Sequence, residues 1–293
     1  MAANTVLSQS SVYAGSCIIL TTKHAKSLAI APPFLEKLEA SVLEYVVDTD
    51  KLGTFSGERE RPGTALECAR RKCEWSLHKL GGKVEFALAS EGSFGPHPSM
   101  PFLPCDHEIL YFIDCKRGFH LHLSHLSEKT NYRVQSLDSL EKLQKFAKDA
   151  QFPSHALILR PHNRGVKEPI FKGLNSPEAL EEAFKECLKY SSDGKVWVET
   201  DMRAQFNPLR MGVIGDLAAR LCEQLQTYCP KCESPGWGRV RQEKGLKCSW
   251  CGLKTDLIES EILGCVKCDY QEKVQRSDGI KEADPSNCQY CNP

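Results

Sequence analysis

Cys17-Ile18-Ile19-Leu20 is an unbroken apolar run that ends in Thr21-Thr22, and the spacing of apolar residues changes directly after it. Such a run reads as a buried strand, and Ala25 to Glu39 then carries helix-forming residues at helical spacing. Val42 to Val47 reads as a second strand. After a turn-rich stretch from Asp48 to Gly63, a helix is expected from about Thr64 to Leu80. A strand from Glu85 to Ala89 leads into a Gly/Pro-rich loop, Glu91 to Pro104. Two alternating segments follow, Glu108 to Cys115 and Phe119 to Leu126, joined at Lys116-Arg117-Gly118 as a hairpin.

Downstream the pattern predicts a helix over Ser139 to Lys148, a strand over His155 to Arg160, a helix over Pro177 to Tyr190 and a strand over Lys195 to Thr200. A long amphipathic helix begins at Asn207-Pro208, with proline suited to a first helical turn, and runs to about Tyr228. Alternation of this kind predicts an α/β fold with a mixed sheet over residues 16–228. A Ser-rich stretch, 1–15, precedes it, with the pattern of a flexible leader or of a transit peptide without arginine, and a cysteine-rich module, 229–293, follows it.

Composition narrows the class. A chain of 293 residues suits one sizeable domain plus an appendage, and 41% apolar against 26% charged residues supplies a real core. Lys plus Arg equals Asp plus Glu at 38 each, so no whole-molecule field draws the chain to a polyanion, and any such site is local. No run approaches the ~20 apolar residues of a membrane span, and no secretory signal opens the chain. The expectation is a cytoplasmic protein, with a nuclear or organellar location left open, and no membrane partner. In that compartment fifteen cysteines are better explained by metal than by disulfides.

Eight of the fifteen form four Cys-x-x-Cys pairs: Cys229/Cys232, Cys248/Cys251, Cys265/Cys268 and Cys288/Cys291. Four thiolates complete a closed tetrahedron around zinc, and a two-residue gap lets both sulfurs of a pair turn toward one ion. The expectation is a double zinc-ribbon module with two structural zinc ions. In the favoured arrangement the first two pairs hold one ion and the last two the other; an interleaved arrangement, first with third and second with fourth, uses the same ligands. The remaining cysteines have no ligand spacing and read as small buried residues.

Four polar segments exceed what a core strand or an exposed helix requires. Thr21, Lys23 and Lys26 sit where a buried strand meets a helix start, a placement that suits phosphate, although a hydroxyl cap with solvated lysines would leave the same trace. Gly57 to Arg61 precedes a helix bearing Glu67, Arg71 and Lys72, in which Glu67 and Arg71 equally make an ordinary surface pair. Glu91-Gly92-Ser93-Phe94-Gly95-Pro96-His97-Pro98 forms a shaped loop at a strand end, where α/β folds place ligands. Glu199, Asp201, Arg203 and Arg210 cluster before the long helix, as an ion network or as one wall of a site, with Asn207 as its N-cap.

Together the Thr-Lys-His-Ala-Lys, Gly-Thr-Phe-Ser-Gly-Glu, Glu-Gly-Ser-Phe-Gly-Pro-His-Pro and Glu-Thr-Asp-Met-Arg-Ala motifs resemble an uncharacterised family that ends in these cysteine pairs. That resemblance implies no activity. A more distant one is to the inosine/xanthosine triphosphate pyrophosphatase family. Thr21, Lys23 and Lys26 stand at its triphosphate-binding motif, with Lys23 in place of asparagine. Glu67 and Lys72 keep the spacing of its metal-binding acid and phosphate-binding lysine, and Glu91-Gly92-Ser93 matches its acidic glycine loop. Arg210 alone matches its base-facing segment, while residues from Leu137 to Val196 and the cysteine tail have no counterpart.

This resemblance implies a Mg²⁺- or Mn²⁺-dependent hydrolase of a nucleotide or related phosphoester. Glu67 and Glu91 would serve catalysis, and Thr21, Lys23, Lys26, Lys72, Ser93, Arg203 and Arg210 would hold the phosphates or the nucleotide. The alternative is a non-enzymatic adaptor whose zinc ribbons bind RNA or protein. Lys231, Arg239, Arg241, Lys244, Lys247 and Lys254 would then supply charge, and Trp237 and Trp250 a stacking surface.

Overall fold

The computed structural model describes residues 10–47, 61–162 and 169–292. Two compact units divide the chain, one comprising 1–113 and 122–220, the other 114–121 and 221–293. Residues 1–9 of the expected leader and most of the turn-rich Asp48 to Gly63 lie outside the described residues. Tyr13, inside the expected leader, is fully buried and makes edge-on contacts with Phe86 and Phe112 at 5.5 and 5.8 Å.

The first unit contains two sheets. In the first, β1 (Cys17–Thr22), β2 (Ser41–Val46), β3 (Phe86–His97), β4 (Met100–Asp114) and β5 (Phe119–Ser127) lie in the order β2-β1-β3-β4-β5. β1 is parallel to both β2 and β3, so its Ile18, Ile19 and Leu20 are buried between neighbours and read as a continuous apolar run. α1 (Ser27–Leu38) connects β1 to β2, and α2 (Ala65–Lys79) follows β2 and precedes β3 on the other side of β1. The strand order therefore reverses between β1 and β3, a place where open α/β sheets form ligand crevices at their carboxyl ends.

Glu91 to Pro104 is not a loop. Its residues extend β3 and begin β4, so the two strands form a long hairpin. Burial along β3 is complete through Gly92 and falls away beyond it, so the outer ribbon has no apolar alternation to signal a strand. Its prolines fit an exposed ribbon with an open edge.

The second sheet is antiparallel, with β6 (Val134–Leu137), β7 (Leu157–Pro161), β8 (Phe171–Leu174) and β9 (Val196–Thr200) in the order β6-β9-β7-β8. α3 (Leu140–Asp149) and α4 (Pro177–Tyr190) bury Leu143, Phe146, Leu180 and Phe184 against Leu157, Leu159, Val196 and Val198. Residues 137–198 thus own a separate hydrophobic core. β6 and β8 have only four residues each, too few to show a period. α5 (Pro208–Leu225) follows, N-capped as expected, with Asn207 Oδ1 accepting from Arg210 N at 3.0 Å.

In the second unit, β10 (Gly238–Lys244), β11 (Ile258–Gly264) and β12 (Gln271–Gln275) form an antiparallel meander. Among the described residues, no helix is long and apolar enough to cross a membrane.

Candidate functional site

Side chains alternate along β3, and the two faces carry different chemistry at its buried end. Ala87 and Ala89 pack on Ala69 and Cys73 of α2, so Glu91, two residues on, points to the α2 side. There Lys72 Nζ meets Glu91 Oε1 at 2.6 Å and Arg61 lies 3.8 Å from Oε2. Arg61 also donates to Ser93 Oγ at 2.8 Å and to the Gly92 carbonyl at 2.6 Å. Burial pushes Glu91 up, but Lys72, Lys26 and Arg61 outweigh it and hold its carboxyl below the usual range.

Ser90 points to the opposite face. Lys26, just beyond the carboxyl end of β1, donates to the Ser90 carbonyl at 3.0 Å and approaches Ser90 Oγ at 3.2 Å. Ser90 Oγ reaches Glu108 Oε2 at 3.4 Å, and Arg210 Nε donates to Glu108 Oε1 at 2.5 Å. Arg210 also donates to the Met202 carbonyl and lies 5.0 Å over the Phe94 ring. Asp106, two residues before Glu108 on β4, shares its face. Burial lowers Lys26 to about 7, with Arg210 and Lys72 adding repulsion. Burial together with Glu108 pushes Asp106 up to about 8.

Lys26, Lys72, Glu91, Asp106, Glu108 and Arg210 thus form a buried cluster of mixed charge around the carboxyl end of β1 and the Ser90–Gly92 stretch of β3. Of the residues expected from sequence, Lys26, Lys72, Glu91 and Arg210 belong to it, and Ser93 borders it through Arg61. Thr21 is buried at the end of β1, and its hydroxyl has no hydrogen-bond partner among the described residues. Lys23 is exposed.

Two expected residues lie elsewhere. Glu67 is exposed and closes a capping box with Thr64: Thr64 N donates to Glu67 Oε2 at 2.8 Å, and Glu67 N to Thr64 Oγ1 at 3.2 Å. Its backbone bond from Thr64 holds its carboxyl low. Arg203 grips buried Asp201 at 2.6 Å and lies 4.5 Å over Phe206, the ion-network reading of that segment. Conversely, Asp106 and Glu108 went unremarked in the sequence, where they look like the polar half of an alternating strand.

The cysteine pairs interleave. Cys229, Cys232, Cys265 and Cys268 form one group and Cys248, Cys251, Cys288 and Cys291 the other, with all sulfurs of a group within 4.8 Å. The tandem expectation is therefore corrected. β10 runs away from the first pair to the second, β11 returns to the third, and β12 departs again toward the fourth, so an antiparallel meander brings alternate pairs to the same end. The closest sulfurs stand 3.6 Å apart (Cys232–Cys265, Cys251–Cys288) and 3.8 Å apart (Cys229–Cys268, Cys248–Cys291). Four sulfurs about 2.3 Å from a central zinc would stand about 3.8 Å apart, so both groups fit zinc.

Local geometry repeats at the knuckles. The amides of Cys229, Cys248 and Cys265 each donate to the carbonyl five residues on, of Ser234, Leu253 and Tyr270. The amides of Lys267 and Cys268 point at Cys265 Sγ, both at 3.3 Å. Backbone N–H groups of Cys291 and Tyr290 pull Cys288 down to about 7, while the neighbouring Cys251 thiol pushes Cys291 up to about 12. Full ionisation of such a set calls for a bound cation. Trp237 is buried against Tyr270 and offers no stacking face, whereas Trp250 is 78% exposed. Of the other cysteines, Cys68, Cys73, Cys105, Cys187 and Cys222 are buried as expected, and Cys17 and Cys115 are exposed.

A family model described as a domain of unknown function, DUF6671, matches residues 72–293. The chain belongs to this family. The DUF6671 span begins at Lys72 and takes in Glu91, Asp106, Glu108, Arg210 and all eight paired cysteines; Thr21, Lys26 and Glu67 precede it. No curated protein matches the chain.

Proposed function

We propose that the protein is a Mg²⁺- or Mn²⁺-dependent hydrolase of a nucleotide or related phosphoester, carrying a structural double zinc ribbon. The observation that supports this most is the convergence of Lys26, Lys72, Glu91 and Arg210 at the strand-order reversal, since side chains from four separate elements gather there. Lysine and arginine side chains suit phosphate oxygens. Glu91, an ionised carboxylate, suits a hard divalent cation, which when bound would offset phosphate charge. On this reading Lys26, Lys72 and Arg210 bind and orient the phosphates, and Glu67 has no part. The eight thiolates fill closed sites, so zinc there stabilises the fold and leaves no position for substrate.

The test measures phosphate and pyrophosphate release across standard and deaminated nucleoside triphosphates with Mg²⁺ or Mn²⁺. Glu91→Gln should lower turnover roughly a hundredfold, and Lys72→Ala should weaken nucleotide binding. Absence of both binding and turnover with every nucleotide would end this reading.

The adaptor reading keeps one supporting observation: Trp250 and Tyr290 occupy matching positions in the two knuckles of one cysteine group, each 78% exposed. Residues 229–293, however, carry ten Lys and Arg against ten Asp and Glu, and eight thiolates around two divalent ions add negative charge. That balance favours a protein partner over RNA.

A further inference from the structure

Asp106 and Glu108 are both fully buried on one face of β4. Glu108 is engaged as an acceptor on both oxygens, by Arg210 Nε and by Ser90 Oγ. Asp106 stands beside it, and neither of its oxygens receives a hydrogen bond from the described residues. Among the described residues, the charged groups acting on Asp106 are Glu108 on its own strand, Arg210 from α5 and Lys26 from the start of α1; Cys105, the next residue along the strand, points its thiol to the Pro96 carbonyl. An ionised carboxylate buried without a donor is among the costliest arrangements in a protein.

We propose that Asp106 and Glu108 hold one proton between them, Asp106 as a neutral acid donating to ionised Glu108, and that this proton keeps the pocket positive enough to receive an anionic phosphate. Two carboxylates side by side accept either a proton or a cation. A magnesium-like ion keeps several of its waters, whereas the Asp106 oxygens border no water-sized space. A proton needs no room. With it in place, Glu108 offsets Arg210 and no second negative charge faces the ligand; without it, ionised Asp106 opposes an incoming phosphate, and Lys26, itself lowered to about 7, is no longer fully charged to offset it. The upward displacement of Asp106, caused by burial and by the neighbouring Glu108 charge, has the sign this arrangement requires. The charge-setting role rests on the phosphate-site reading; the shared proton does not.

Infrared spectroscopy of the full chain near neutral pH tests the proton directly. We expect the carbonyl band of a neutral carboxylic acid, shifted by ¹³C-carboxyl aspartate labelling of the unmutated protein and lost in Asp106→Asn, whose amide can still donate to Glu108. Inorganic pyrophosphate, titrated calorimetrically on either side of the Asp106 value of about 8, should lose roughly tenfold affinity per pH unit above it, and less steeply in Asp106→Asn. A missing or label-insensitive band overturns the shared proton. So does stabilisation by Mn²⁺ alone that Asp106→Asn abolishes, which would make the pair a cation site. Identical pyrophosphate pH profiles in both proteins overturn the charge-setting role. A label-sensitive band with no pyrophosphate binding upholds the shared proton and removes the phosphate-site reading.

Discussion

Gly92 lies directly against the guanidinium of Arg210: a Cβ built on Gly92 would collide with Arg210 Nη2 and with Glu108 Oε1. The requirement is one of space, because the buried ion pair from α5 and β4 crosses β3 where it has no side chain. Gly92→Ala should push the pair apart. Breaking a buried pair costs about 3 kcal/mol or more, so the denaturant midpoint should fall accordingly. An unchanged midpoint would show that the pair can shift aside.

The interleaved cysteine groups predict an outcome that a tandem arrangement does not. Cys232→Ser combined with Cys265→Ser removes two ligands of one group and none of the other. Metal analysis should then find one zinc ion per chain, against two in the unmutated protein. Loss of both ions would argue for tandem pairing. Chelation of both should unfold the module, since the metal's binding energy is folding energy.

Lys26, lowered to about 7, is charged in the folded state only below that value but remains charged in the unfolded chain up to about 10. Between these limits the unfolded state binds more protons, so the Lys26 contribution makes stability rise with pH. Asp106, raised to about 8, has the opposite effect: stability falls as pH climbs from about 4 to about 8. In an Asp106→Asn background only the Lys26 rise should remain. Adding Lys26→Met should flatten it and raise the melting temperature at neutral pH. A rise that survives Lys26→Met would assign it to another group.

The capping box gives Thr64 and Glu67 a structural role. Thr64→Ala should cost about 1 kcal/mol, measured by thermal or denaturant melts. Glu67→Gln should leave nucleotide binding and metal dependence unchanged. A Glu67→Gln variant that folds normally but loses metal-dependent turnover would return Glu67 to the catalytic position its spacing from Lys72 suggested.

The sequence by itself determined whatever depends on neighbours along the chain. The run Cys17 to Leu20, the helix that opens at Thr64, the Asn207 cap and the paired cysteines follow from spacing, capping chemistry and ligand geometry, all of which act over a few residues. It also determined that Lys26 and Arg210 were unusual, because each stands at or within a turn of a helix start; Lys72, in mid-helix, and Glu91, inside β3, were marked by their charge and their neighbours along the chain.

Only the tertiary structure decided what depends on register and pairing. The sign of each side chain's face on β3 and β4 put Glu91 beside α2, and Asp106 and Glu108 beside α1 and α5, and a shift of one residue would have reversed all three. The meander β10-β11-β12 chose interleaved over tandem cysteine groups, since an antiparallel return brings together pairs that lie 33 and 37 residues apart at their closest sulfurs. Asp106 became notable only once folding had buried its oxygens with no donor among the described residues, and burial at one strand position is set by helices that pack from distant parts of the chain.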